Sequence, residues 1–133
     1  PGVQAFLAEA GRLGIPCAVG SSAPRENVDA CLKALDLERA FQATVSGADV
    51  QRGKPAPDIF LKAAAALGVP PDRCLVFEDA PAGIAAAHAA GMRAWGLLTS
   101  HAREELAAAD VVVSDFLALS PAAVQAAWTP RPA

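Results

Sequence analysis

Residues 73–84 read RCLVFEDAPAGI, and this stretch decides the fold. Its apolar beginning, residues 73–77, predicts a short buried strand, and the small residues after Glu78-Asp79 predict a turn into an Ala-rich helix. Because unpaired carboxylates repel each other, an adjacent pair at a strand end favours a bound divalent cation. Ligands of open α/β sheets bind at the carboxyl ends of the strands. The stretch therefore predicts a Mg²⁺ site, with an anion for the Mg²⁺ to hold.

Helical and strand patterns alternate along the rest of the chain. Gly14, Gly68 and Gly91 each follow a predicted helix and precede a short apolar strand. Strands separated by helices imply parallel pairing through right-handed crossovers. The sequence predicts an α/β fold with a doubly wound, Rossmann-like parallel sheet. The expected helices are 3–13, 27–37, 57–67 and 82–90, the strands are 15–20, 41–46, 73–77, 92–98 and 111–113, and a helical turn spans 103–109.

Composition narrows the function classes. The 133 residues suffice for one domain, and a 53% hydrophobic content supports a real core. A net charge of -3 and 5% aromatic residues give no basis for binding nucleic acid or an anionic membrane. The three cysteines are widely spaced and odd in number, which favours buried thiols in a reducing cytoplasm over disulfides or zinc. A start at Pro1, with neither an initiator Met nor a signal peptide, predicts a fragment or a processed product.

Three polar clusters lie at or beyond the ends of predicted strands: Ser21-Ser22, the segment 53–58 around Lys54, and Glu78-Asp79. The first and third share one edge of a parallel sheet, and the Lys54 loop can reach that edge. Hydroxyl and backbone N–H groups hold phosphate oxygens, lysine adds positive charge, and carboxylates hold a hard cation. The group predicts phosphoryl transfer, which mainly needs positioning and charge stabilisation.

Each cluster also has a purely structural explanation. Ser21-Ser22 are common turn residues, and Lys54 between Gly and Pro suits an exposed loop. Glu78-Asp79 suits the start of a helix, where the helix dipole favours acids. Arg25 is either a ligand for a substrate anion or a solvated residue. The remaining candidates are assigned to structure or solvent: Asp58, His88, His101, Trp95 and Trp128.

Residues 19–22 (VGSS), 53–60 (GKPAPDIF) and 77–84 (FEDAPAGI) resemble the second, third and fourth motifs of the haloacid dehalogenase superfamily. The nearest likeness is to its phosphatase and β-phosphoglucomutase-like branch, and it covers residues 1–119. The resemblance implies that Ser21 binds the transferring phosphoryl group and that Lys54 is the motif lysine. It also implies that Asp79, with Glu78 beside it, helps to hold Mg²⁺. The expected substrate-binding residues are Ser21, Ser22, Arg25 and Lys54, with Ser21 and Lys54 also taking part in catalysis.

One motif of that family is missing. Its first motif is Asp-x-Asp, in which the first Asp is the nucleophile that forms an aspartyl-phosphate and the second is the general acid/base. No Asp-x-Asp occurs in this sequence. We expect a truncated sequence or a partial gene, with a partial core domain at 1–119, a frayed C-terminal tail at 120–133 and no cap domain.

The missing motif has a structural consequence. In the family, the strand that carries it lies between the strand of residues 17–20 and that of residues 75–77. Its loss either leaves a slot or lets these two strands pair directly. Each unpaired buried backbone group costs about 1–3 kcal/mol. We therefore expect the isolated chain to be poorly stable or prone to aggregate through its strand edges.

The leading hypothesis is that the intact protein is a magnesium-dependent phosphatase of small phosphorylated metabolites. Its nucleophile is expected outside this chain, so the chain alone is expected to be inactive. A first alternative is a β-phosphoglucomutase-like sugar-phosphate mutase with the same site. In such relatives, residues just past the second motif contact the substrate's other phosphate. Here only Arg25 is an obvious anion ligand, which favours hydrolysis. A second alternative is a non-catalytic remnant that acts as a binding module. The sequence specifies neither the substrate nor the oligomeric state.

Overall fold

A computed structural model describes residues 2–99, 101–117 and 119–127. The predicted α/β class and the order of the elements are confirmed, with element ends shifted by at most three residues. Short 3-10 turns occur at Gly47–Asp49, Pro71–Arg73 and Arg103–Leu106. The helices and strands are α1 (Val3–Arg12), β1 (Ala18–Gly20), α2 (Arg25–Ala34), β2 (Ala43–Val45), α3 (Asp58–Leu67), β3 (Leu75–Glu78), α4 (Pro81–Ala89), β4 (Arg93–Leu97), β5 (Val111–Val113) and α5 (Pro121–Ala127).

The strands form two separate parallel ladders. β1 pairs with β2, and β3 pairs with β4, which pairs with β5. An apolar cavity of about 600 Å³ separates β1 from β3, and both strands line it together with α1. Of the two arrangements expected for a missing central strand, the described residues therefore show the slot rather than direct pairing of β1 with β3.

Small residues let the helices approach the sheet closely. Ala86 and Ala87 of α4 and Ala94 of β4 are fully buried, so α4 lies against β4 with little side-chain volume between them. Ile59 of α3 and Ile84 of α4 provide the larger side chains of this core. The Ala-rich stretches are therefore packing surfaces, in which volume matters more than hydrophobicity. None of the helices in the described ranges is long and apolar enough to cross a membrane.

The expectation of a frayed tail is wrong over Pro121–Ala127, which form α5. Ser120 precedes the helix, and its hydroxyl oxygen accepts the Ala123 N–H at 3.1 Å. Proline suits the first helical position, since its fixed φ is helical and its missing N–H would have had no partner. Val124 is buried, so packing against the rest of the protein also stabilises α5. Trp128 and residues 129–133 lie outside the described residues, and the division at residue 119 stays a prediction.

An ion-pair network closes the amino-terminal edge of the second ladder. The Asp110 carboxylate accepts hydrogen bonds from the Ala94 N–H at 2.8 Å, from His88 Nε2 at 3.0 Å and from Arg93 Nη1 at 3.0 Å. Burial raises the pKa of Asp110, but these three donors outweigh it and hold the pKa below its ordinary value of 3.8. The structural assignment of His88 is confirmed, because it joins α4 to the loop before β5.

We expect Asp110→Asn to lower the free energy of unfolding by about 1 kcal/mol at pH 7, since weaker hydrogen bonds replace charged ones. A lowered folded pKa stabilises the protein above pH 3.8, and this contribution is lost as the pH falls through the folded pKa. The difference between variant and wild type should therefore shrink towards pH 3 in urea unfolding. The matched control is Asp72→Asn, at an exposed carboxylate. Equal stability of the Asp110→Asn variant and wild type at pH 7 would contradict the network.

Candidate active site

Lys54 bridges the carboxyl ends of β1 and β3. Its Nζ donates to Glu78 Oε2 at 2.8 Å and to the Gly20 carbonyl at 3.3 Å. The Lys54 and Glu78 side chains are only 15% and 11% exposed, so the reading of Lys54 as an exposed loop residue is wrong. The ammonium also lies 4.9 Å from the centre of the Phe60 ring, where a cation–π contact stabilises it. Its position beside Gly20 and Glu78 brings the neighbouring Ser21 and Asp79 to one edge of the sheet.

The Ser21-Ser22 turn follows β1 directly. The Ser21 N–H donates to the Val45 carbonyl at 2.9 Å, which extends the β1–β2 ladder by one bond. The Ser21 Oγ accepts the Ala23 N–H at 3.2 Å, so the serine shapes its own turn. This bond does not use the hydroxyl hydrogen, which a serine can donate to a phosphate oxygen. The structural and phosphate-binding interpretations of Ser21 are therefore compatible. Ser22 is exposed at the same turn.

Two glycines that the sequence analysis did not single out shape this turn. A Cβ on Gly20 would lie 2.6 Å from Ile59 Cγ2, so only glycine lets the end of β1 approach α3 this closely. A Cβ on Gly47 would lie 2.3 Å from the Ser22 carbonyl oxygen. The Gly47 N–H donates to the Ala23 carbonyl at 2.9 Å and ties the turn to the next loop. The only sequence signal was their place at the ends of strands.

Arg25 braces the loops beside the turn. It donates to the Thr44 carbonyl at 3.0 Å and to the Asp49 carboxylate. Asp49 also accepts the Ser46 N–H at 2.7 Å and the Ser46 hydroxyl at 3.0 Å. These Ser46 donors, helped by the charge of Arg25, hold the pKa of Asp49 below 3.8. The Arg25 side chain is 38% exposed, so it is paired with Asp49 and still partly solvated, while its role in substrate binding stays a prediction.

Glu78 closes the end of β3 over the start of α4. Its Oε1 accepts the Asp79 and Ala80 N–H groups at 3.1 and 3.3 Å, and Oε2 accepts from Lys54. Glu78 is the last residue of β3, and α4 has no acidic residue in its first turn, so the acid pair does not lie in the helix where the helix-start interpretation placed it. A Cβ on Gly83 would lie 2.0 Å from Glu78 Cδ, so the glycine makes room for the carboxylate. In the sequence, Gly83 is only one residue of a motif, and nothing local marks it as the neighbour of Glu78.

The donor set fits a hard cation with few protein ligands. Both oxygens of Glu78 already accept hydrogen bonds, and the adjacent Asp79 supplies a second carboxylate at the same strand end. The described residues hold no group of three or more His, Cys, Asp or Glu side chains that would form an all-protein metal cage. Mg²⁺ typically binds one or two carboxylates and fills its octahedron with water and substrate phosphate. The arrangement suits Mg²⁺ in that mode.

His101 approaches the same edge from the loop after β4. Its Nδ1 lies 2.9 Å from the Asp79 carbonyl oxygen. From sequence, His101 was predicted to be structural or solvent-facing, because nothing near it in the chain marks Asp79 as its partner. Asp58 lies in the first turn of α3, and its carboxylate forms an ion pair with Arg52 at 3.0 Å. This ion pair agrees with the structural role predicted for Asp58. Trp95 is buried and packs edge-on against Phe77.

Comparison with known proteins extends these observations. The profile of the haloacid dehalogenase-like hydrolases matches residues 1–91. Validoxylamine A 7'-phosphate phosphatase of Streptomyces hygroscopicus subsp. limoneus is 40% identical over 115 residues, 86% of this chain and 54% of that protein. A solved structure of mutant CbbY from Rhodobacter sphaeroides with xylulose-(1,5)bisphosphate is 35% identical, with a TM-score of 0.82 over 90% of this chain and 55% of that one.

A β-phosphoglucomutase from Clostridium difficile is 29% identical, with a TM-score of 0.84 over 95% of this chain and 54% of that one. The chain spans about half the length of the relatives it matches. The suspected resemblance is confirmed by the profile match over more than half of the chain and by close agreement in fold. The chain belongs to the haloacid dehalogenase-like hydrolases.

Proposed function

We propose that this chain is the larger part of the core domain of a magnesium-dependent phosphatase that acts on small phosphorylated metabolites. The observation that carries the proposal is the position of Lys54 between the Gly20 carbonyl and Glu78. That position supports a site in which a hydroxyl, an ammonium and a carboxylate pair share one edge of the sheet. Similarity to a named phosphatase and to a structure with a bound sugar bisphosphate supports a phosphorylated substrate.

Each residue has a proposed task. Ser21 and Lys54 bind the phosphoryl oxygens, and the N–H groups of the Ser21-Ser22 turn add further donors. Asp79 holds Mg²⁺ directly, and Glu78 keeps Lys54 and the Asp79 peptide in place. When bound, Mg²⁺ supplies positive charge that neutralises the phosphate and orients it. The ammonium of Lys54 is ready for its task because Glu78 and Phe60 already fix its position.

The nucleophile is proposed to come from outside the 133 residues. An aspartate carboxylate would form a bond to phosphorus while the P–O ester bond breaks, and the second Asp of the same motif, as general acid, would give the leaving alcohol its proton. Water would then hydrolyse the acyl phosphate, releasing phosphate and restoring the carboxylate. The slot of about 600 Å³ between β1 and β3 supports this idea, since it opens between the strands that lead to Ser21 and Asp79. A strand in that slot would end beside both.

The mutase alternative has its own support in the match to a β-phosphoglucomutase. The arrangement of Arg25 favours hydrolysis instead, because its guanidinium already binds the Asp49 carboxylate and the Thr44 carbonyl. A guanidinium held by a carboxylate is a weaker ligand for a second substrate phosphate. The binding-module alternative requires the chain to act without a nucleophile. We also propose a cytoplasmic location, for which the three free thiols give support.

The test starts with the gene. Translation upstream of Pro1 should show an Asp-x-Asp motif after an apolar strand pattern, followed by a helical cap. The encoded protein should release phosphate from a panel of sugar and polyol phosphates with Mg²⁺, and stop when EDTA removes the metal. Isomerisation of the ester without phosphate release would favour the mutase. A full-length protein that has neither the motif nor any turnover would leave only the binding-module reading.

Asp79→Asn should lower kcat/KM by about a hundredfold or more and raise the Mg²⁺ concentration for half-maximal activity, since a neutral amide binds a hard cation poorly. Activity against Mg²⁺ concentration measures both effects. The matched control is Asp58→Asn, whose carboxylate pairs with the exposed Arg52 and which should keep normal activity. An Asp79→Asn enzyme with an unchanged Mg²⁺ requirement would refute the assigned ligand.

A further inference from the structure

Both backbone polar groups of Asp79, which belong to the peptide units before and after it, form hydrogen bonds. Its N–H donates to Glu78 Oε1 at 3.1 Å, and its carbonyl accepts from His101 Nδ1 at 2.9 Å. Glu78 is fixed in turn by Lys54, at 2.8 Å from its other oxygen. A chain of hydrogen bonds therefore runs from Lys54 through Glu78 and Asp79 to His101. It links the loop before α3, the end of β3 and the loop after β4.

This chain of hydrogen bonds, called the clamp below, lies where the regular secondary structure ends. Asp79 lies between the last residue of β3 and the start of α4, so its backbone is outside both the strand ladder and the helix. β3 and β4 pair up to Glu78 and Gly96, and the loops beyond them leave the sheet side by side. His101 is thus presented to the Asp79 carbonyl by the neighbouring strand. The side chain leaves from the Cα that joins these two peptide units, so their orientations together set its direction.

We propose that His101 is a positioning residue that orients the Asp79 carboxylate for metal binding, an inference that rests on the proposed function. A carbonyl oxygen only accepts hydrogen bonds, so Nδ1 of His101 carries the proton in this contact. The role needs a donor at the Nδ1 position and no change of charge. Partners that orient a metal ligand typically contribute about 10–100-fold to metal affinity.

The experiment uses the full-length protein and Mn²⁺ as the probe, because its binding is followed directly by electron paramagnetic resonance. His101→Leu removes the donor and should weaken Mn²⁺ binding about tenfold. His101→Asn keeps an N–H donor close to the Nδ1 position and should stay within about twofold of wild type. The matched control is His88→Leu, which removes a half-buried histidine at the opposite edge, bonded to Asp110. That variant should lower stability and leave Mn²⁺ affinity unchanged.

Amide hydrogen exchange separates the clamp from the metal site. Exchange at Asp79 and Ala80 should become faster in His101→Leu, while His101→Asn and His88→Leu should exchange there as wild type does. A folded His101→Leu protein with wild-type Mn²⁺ affinity overturns the positioning role and leaves the proposed function standing. Failure of the unsubstituted protein to bind Mn²⁺ overturns the proposed function as well. Equal losses in the His101→Leu and His88→Leu variants would reduce the effect to general destabilisation and overturn the inference.

Discussion

Replacing Lys54 with Met is expected to lower kcat/KM for phosphate esters by about a hundredfold or more, the usual cost of removing one charged or hydrogen-bonding stabiliser of a transition state. The side chain of Met has a similar length and can keep the packing against Phe60. The loss then falls on the ammonium alone. Steady-state kinetics at saturating Mg²⁺ measure it, and a Lys54→Met enzyme within tenfold of wild type would contradict the proposed role.

The same substitution should also destabilise the protein. It leaves the Glu78 carboxylate, only 11% exposed, without its cationic partner. Breaking a fully buried pair costs about 3–5 kcal/mol, and we expect about 2 kcal/mol here because both side chains keep some contact with water. The free energy of unfolding, measured in urea, tests this value.

A double variant separates the two effects. Glu78→Gln added to Lys54→Met removes the unpaired charge, and its amide oxygen still accepts the Asp79 and Ala80 N–H groups. Stability should recover towards wild type while activity stays low. Lys33→Met, at an exposed position of α2, is the matched control for loss of a lysine. If the double variant regained activity with stability, Lys54 would have only a structural role.

Replacing Gly83 with Ala is expected to damage the site more than the fold. Alanine within a helix normally adds about 0.5–1 kcal/mol of stability relative to glycine. Here the new Cβ would lie 2.0 Å from Glu78 Cδ, so the carboxylate has to move. Moving it breaks the contacts of Glu78 with Lys54 and with the Asp79 and Ala80 amides just before α4. Phosphatase activity should fall at least about tenfold, because the interactions that place Lys54 and Asp79 are lost together.

The matched control for Gly83→Ala is Gly11→Ala. Gly11 lies in α1, and nothing lies within 4 Å of the Cβ that would be added there. This variant should gain about 0.5–1 kcal/mol and keep its activity. Thermal unfolding and turnover measured on both variants give the comparison. Unchanged activity in Gly83→Ala would show that the Glu78 carboxylate can move without harm to the site.

The fold was predictable because its signals are local. The 3.6-residue apolar spacing of α2, the glycine after α3 and the apolar run of β3 each depend on neighbours a few residues away. The frayed-tail prediction failed for the opposite reason. Pro121–Ala127 carry a weak periodic signal, and the burial of Val124 against the rest of the protein stabilises the helix.

The site was predictable only in part. Ser21 and Asp79 were predicted from their positions at strand ends, where a parallel sheet collects its ligands, and Lys54 from a loop that can reach the same edge. The hydrogen-bond partners of Lys54 and Asp79 could not be predicted from the sequence. Lys54 meets Glu78 across 24 residues of chain, and His101 meets the Asp79 carbonyl across 22. No local pattern encodes such a contact.

The amino-acid sequence by itself determined the alternation of helices and strands and the edge at which polar groups gather, because backbone preference and apolar periodicity act between near neighbours. The tertiary structure alone decided which polar group holds which. In the folded chain Arg25 binds Asp49, Lys54 binds Glu78, and His101 binds the Asp79 carbonyl oxygen. It also left the slot between β1 and β3. These contacts and the slot depend on the distances between packed helices, strands and loops. Glycines such as Gly47 and Gly83 allow the close approaches among them.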